Sequence, residues 1–255
     1  MSVGQAWRLS LRSPGSLANA LGLVVIVGLC WWYLFQMAGG MMTQASVLHQ
    51  WTPGYFAIMV VMWVVMMVAM MLPSAAPMIL LYRQVARKNR LAYATLATLL
   101  FALGYFAIWS GFSLVATFLQ WQLEHWALLS PMMRSQSAAF SGITLILAGL
   151  YQWSPLKTAC LRHCRGPLFF IIRHWRTGRV GAFTMGLIHG AYCVGCCGAL
   201  MALLFVGGIM DLTVIAAIAG LVLFEKLLPG GEWLARALGL VAIGLGLLIL
   251  VPGLS

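Results

Sequence analysis

Acidic residues are nearly missing from this chain. Four Asp and Glu stand against fifteen Lys and Arg in 255 residues, and charged residues of both signs make up only 7%. A soluble globular domain carries about 25%. With 63% hydrophobic residues, the chain has too much apolar surface to hide in a water-facing fold, so we read an integral membrane protein. The shortage of carboxylates and the lack of a Ser–His–Asp grouping leave little for hydrolase or transferase chemistry; whether the chain is an enzyme stays open, with a non-enzymatic role favoured. No G-x-x-x-x-G-K-[ST] loop is present to cradle nucleotide phosphates. No Ala-x-Ala-like site follows the first apolar stretch, so no removable signal peptide is expected.

What is there is a series of long apolar runs. They predict an all-α, polytopic transmembrane bundle of about seven spans: 17–38, 55–81, 93–119, 137–153, 181–207, 212–228 and 233–252. Each must be helical, because lipid offers no partner for unpaired backbone groups. We divide the chain into a basic lead-in, 1–16, and one transmembrane domain, 17–255, with a basic inner loop at 154–180. Placing the N-terminus in the cytoplasm puts fourteen of the fifteen basic residues inside and leaves only Arg134 outside. The net charge of +11 is therefore read as a topology signal. Anionic lipid headgroups are its expected partner and nucleic acid is not. The inner loop mixes basic residues with Phe, Ile and Trp and reads as an interfacial segment. The outer loop "QWQLEHWALLSPMMRSQ" is amphipathic enough to lie along the surface.

One span carries reactive groups that no bilayer crossing requires: "HGAYCVGCCGAL", 189–200. At about 100° per residue, His189, Cys193, Cys196 and Cys197 fall within an arc of about 100° on one helix face. The three cysteines span about 6 Å along the axis, close enough to serve one ion. Thiolates favour Cu(I) and Zn(II). Buried cysteine also packs as a small hydrophobe, which is how we read the solitary Cys30. Gly186, Gly190, Gly195 and Gly198 would let a neighbouring helix approach closely.

The second span adds thioethers. Seven of the sixteen methionines lie between Met59 and Met78. Met59, Met62, Met66 and Met70 form one stripe; Met67, Met71 and Met78 form a second, offset by about 100°. Thioether sulfur suits Cu(I) and suits Zn(II) poorly, which favours copper. Methionine stripes also serve as packing. Pro73 and Pro77 remove backbone donors and should bend this helix, opening room toward the bundle interior.

Other candidates lie near the inner face. In "CLRHC", Cys160 and Cys164 are one helical turn apart with His163 beside them, a candidate cytoplasmic relay. Glu225 and Lys226 adjoin the end of the sixth span. Lys226 is expected to snorkel to the headgroups. Glu225 is a candidate intramembrane carboxylate facing the bundle, toward a loop arginine or a proton, and is read either as a structural ion pair or as a functional carboxylate. Asp211 reads as a solvated turn residue.

"MWVVMMVAMMLPSAAPMILLY", "YQWSPLKTACLRHCRGP", "GLIHGAYCVGCCGALMALLFVGGIM" and "LVLFEK" together resemble the DUF2182 family of predicted metal-binding integral membrane proteins of bacteria. The resemblance covers about 55–228, with Gly198 standing where a tryptophan is expected after the paired cysteines. It implies metal binding at Cys193, Cys196, Cys197, His189, Cys160, Cys164 and the methionines of the second span, and supplies no established transport or enzyme activity. The leading expectation is Cu(I) handling, by transport or delivery. A donor or acceptor protein would be the partner, and Met62, Met66 and Met70 would take the ion onward to an exit at Met41, Met42 and His49. One alternative is a membrane thiol–disulfide oxidoreductase using Cys193, Cys196 and Cys197, since "CVGC" is a C-x-x-C. Another is a non-catalytic scaffold subunit.

Overall fold

The computed structural model describes residues 14–44, 51–89, 93–130, 133–228 and 230–251. Ten helices follow one another among them: α1 (Pro14–Gln44), α2 (Pro53–Lys88), α3 (Ala94–His125), α4 (Ala138–Gln152), α5 (Pro155–Arg165), α6 (Pro167–His174), α7 (Gly178–Ala202), α8 (Leu204–Gly207), α9 (Leu212–Leu227) and α10 (Gly231–Leu250). No β-strand occurs among the described residues, only an isolated bridge between Leu129 and Ser135.

Helix starts follow from local chemistry. Thr52, Ser137 and Ser154 each accept a backbone N–H from the first turn of α2, α4 and α5. These are N-caps, and Pro53 and Pro155 fill the following position, where a missing N–H costs nothing. Asp211 caps α9 by accepting from Thr213 and Val214. It also pairs with Arg134 at 2.9 Å, so it is not the merely solvated residue expected. The loop containing Arg134 does not simply lie along the surface: Leu129 and Met133 are buried, and the Ser135 N–H bonds the Phe205 carbonyl.

Five helical segments are long and apolar enough to cross a membrane: Ala20–Gly40, Pro53–Lys88, Ala94–His125, Gly178–Gly207 and Gly231–Leu250. Helices α4 and α9 coincide with two expected spans but have 15 and 16 residues, short of the roughly 20 that cross a bilayer. Their last residues meet α7 past its midpoint: Tyr151 donates to the Gly195 carbonyl at 2.5 Å, and Lys226 reaches Cys193.

The core sits where α2, α3 and α7 pack together, with α5 and α6 against them. Gly104 and Gly186 make the α3–α7 crossing close: a Cβ on Gly104 would strike the Phe183 carbonyl, and one on Gly186 the Phe101 carbonyl. Gly190 and Gly195 likewise face Tyr105 and Cys160, as small residues at membrane helix contacts do. The 154–180 segment is largely helical, α5 and α6, with one side docked on the bundle. Cys160, Leu161, Cys164, Phe170 and Ile171 are buried, while Leu156, Phe169 and Ile172 face outward. Helix α2 runs through Pro73 and Pro77 without interruption. The room beside the prolines is an apolar cavity of about 430 Å³ reaching toward α1 and α9, lined by Leu23, Val27, Pro73, Pro77 and Leu223 among others.

Candidate metal centre

The 3.6-residue repeat of α7 puts Cys193, Cys196 and Cys197 on one face, and all three are 1% exposed. Their sulfurs lie within 4.8 Å of one another. The Cys193 and Cys197 sulfurs are 3.9 Å apart. The thiols of Cys196 and Cys197 both donate to the Cys193 carbonyl, at 3.2 and 2.9 Å.

Two further sulfurs arrive from other helices. Cys164 of α5 is 3.7 Å from Cys196, and Met71 of α2 is 3.7 Å from Cys197. Of the expected relay, Cys164 therefore joins the cluster itself. Cys160 is buried beside Gly195, where a Cβ would come within 2.7 Å of its sulfur. Burial, then the nearby Cys196, pushes the Cys160 thiol up from its ordinary value. His163 lies elsewhere, stacked flat on Tyr192 with ring centroids 4.1 Å apart. Met62, Met66 and Met70 are buried in the same core, but the close sulfur contact belongs to Met71, on the second stripe. Met41 and Met42 fall on a stretch of α1 whose side chains are not described, and His49 lies outside the described residues.

His189 sits one turn before Cys193, 3% exposed. Its ring packs against Phe101, Tyr105 and Phe170. Its Nδ1 has no hydrogen-bond partner among the described residues, but the imidazole is not among the groups that lie within 4.8 Å of one another, which are the three α7 thiols.

Two polar contacts converge on Cys193 that the sequence reading missed. Lys226 Nζ is 3.0 Å from the Cys193 sulfur and donates to Ser74 Oγ at 3.0 Å. The Tyr105 hydroxyl is also 3.0 Å from Cys193. Lys226 does not snorkel to the headgroups; it is 3% exposed and turned inward. The available signal was a lysine within an apolar run, which is a functional-site pointer by default. Nothing in the sequence singled out Tyr105. Glu225 forms a buried ion pair, the structural role weighed against a functional carboxylate, but with Lys157 rather than a loop arginine: Lys157 Nζ pairs with it at 2.8 Å, and Lys157 also bonds Gln152. This pair ties α5 to α9 beside the cluster.

A buried group of thiols and one thioether is a soft-ligand set. The model of a family described as PpoB2, copper chaperone, matches residues 60–249. The chain belongs to the PpoB2 copper chaperone family. The family name carried by this match is not DUF2182, and its description points to copper where the resemblance implied only a metal. The matched PpoB2 region contains Met71, Cys164, the α7 cysteines and Lys226. No curated protein and no solved structure matches the chain. The family and the cysteine cluster together suggest copper handling in a helical protein with membrane-spanning character.

Proposed function

We propose that the chain is a multi-pass protein of the bacterial inner membrane, N-terminus inside, that binds Cu(I) within the bundle and delivers it to an acceptor protein on the outer side. The carrying observation is the convergence of Cys193, Cys196 and Cys197 within 4.8 Å, joined by Cys164 and Met71. Cu(I) takes thiolate and thioether sulfur, whereas Zn(II) gains little from thioether. His189, buried one turn before Cys193, is a further donor beyond the sulfur cluster. Lys226, 3.0 Å from Cys193, supplies a positive charge that balances an anionic copper–thiolate centre. Met62, Met66 and Met70 provide soft sulfur farther along α2 for onward transfer. The basic inner segments face anionic headgroups.

The test is copper content. Wild type and the C193S/C196S/C197S variant are loaded with Cu(I) and stripped with a mild chelator. Wild type should retain about one copper at the sulfur site, and the variant none there. Equal retention in both would sink the proposal.

A further inference from the structure

A short motif occurs twice in the segment after α4. Arg162–His163–Cys164–Arg165 ends α5, and Arg173–His174–Trp175–Arg176 begins in the last turn of α6. The two helices are joined at Gly166, so both histidines come to the same end of the bundle. Their ring centroids are 6.3 Å apart, with interplanar angle 64°. Both rings are half-buried.

The hydrogen bonds fix which nitrogen is available. His163 Nδ1 is 2.9 Å from the Ala159 carbonyl, and His174 Nδ1 is 3.2 Å from the Phe170 carbonyl. A carbonyl only accepts, so each Nδ1 carries the hydrogen. The neutral ring then keeps its lone pair on Nε2. Metal-binding histidines are commonly set up this way, with the second ring nitrogen tied to a backbone carbonyl. Metal–nitrogen bonds run about 2.0–2.1 Å, and Nε2 lies about 1.1 Å from its ring centre, so two imidazoles held end-on to one ion put their centroids about 6 Å apart. The observed separation is of that size.

We infer that His163 and His174 form a second copper site, a two-nitrogen port that receives Cu(I) before it reaches the sulfurs. Tyr192, on which His163 stacks, directly precedes Cys193. Phe170 stacks on His174 and contacts His189 from its other side. The port is therefore one layer of aromatic rings from the cluster. Four arginines belong to the two motifs, and they disfavour a bare cation. The incoming ion arrives as an anionic complex of Cu(I) with small ligands. A carrier ligand leaves with its electron pair as each Cu–Nε2 bond forms, and the oxidation state does not change. The identity of the ion rests on the copper reading above; the ligands of this site do not rest on the cysteines.

The test uses the full chain in detergent with the anionic Cu(I)–bicinchoninate complex as probe, comparing wild type, H163Q/H174Q and C193S/C196S/C197S. Wild type should bind one copper more than H163Q/H174Q, and X-ray absorption should show imidazole scattering that the histidine variant reduces. The histidine variant should also fill its cysteine site at least tenfold more slowly, and wild-type loading should slow as salt rises. Unchanged stoichiometry and loading rate in H163Q/H174Q would overturn the port, whatever the cysteine variant does. Salt-independent loading would overturn the anionic carrier. Unchanged copper in the cysteine variant, with a lower count in H163Q/H174Q, would remove the sulfur site and leave the port standing. The imidazole signal from wild type decides the matter if the cysteine variant does not fold.

Discussion

Cys193 has the most polar surroundings of the three α7 cysteines, with an ammonium and a phenol each 3.0 Å from its sulfur. A charge-assisted hydrogen bond contributes about 1.5–3 kcal/mol. Lys226→Met should therefore weaken Cu(I) retention by about tenfold or more, measured by chelator competition. Met71→Leu should weaken retention several-fold. Met66→Leu should change it far less, and neither should shift thermal stability much, because Leu and Met are close in volume. Equal effects at Met66 and Met71 would return the thioether role to the first stripe. The α7 sulfur set was legible in the sequence because its members share one helix, and a single angle per residue predicts their face. Lys226, Tyr105 and Met71 come from three other helices. Their meeting depends on how each helix is rotated against α7, which no local spacing encodes.

At the scale of elements, the α3–α7 crossing holds Tyr105 against Cys193. Gly186→Ala would press a methyl group on the backbone of Phe101, and backbone cannot rotate away as a side chain can. Overpacking of this kind costs about 1–3 kcal/mol. The variant should lose thermal stability in detergent and retain less copper. Gly111→Ala, on the open side of α3 where no atom lies within 4 Å, should leave both unchanged; similar losses in the two variants would contradict this account. The helix positions were readable from apolar runs, prolines and capping residues. The buried role of α5 and α6 was not. Their basic residues suggested headgroups, while the apolar positions that dock on α7 are few and widely spaced.

At the scale of the molecule, the proposed topology makes a specific expectation. Reporter domains fused after Arg134 or Asp211 should be active on the outer side, and those fused after Arg165 or Arg179 on the inner side. An outer signal after Arg165 would show that α4 does not cross. The orientation was read from Lys and Arg alone. The number of crossings is harder to read, because hydropathy identifies an apolar run whether or not the helix it forms is long enough.

The shortness of α4 and α9 bears on the cost of moving an ion. A helix of 15 residues is about 22 Å long, against a hydrocarbon layer near 30 Å. On the proposed topology, where both helices cross, lipid beside them must thin, or water must dip toward their ends. At the end of α9 stands Lys226, 3.0 Å from the Cys193 sulfur. On that topology the solvation penalty that normally bars an ion from oil is lowered on one flank of the cluster, so loading of the proposed site would not wait for a large opening of the bundle.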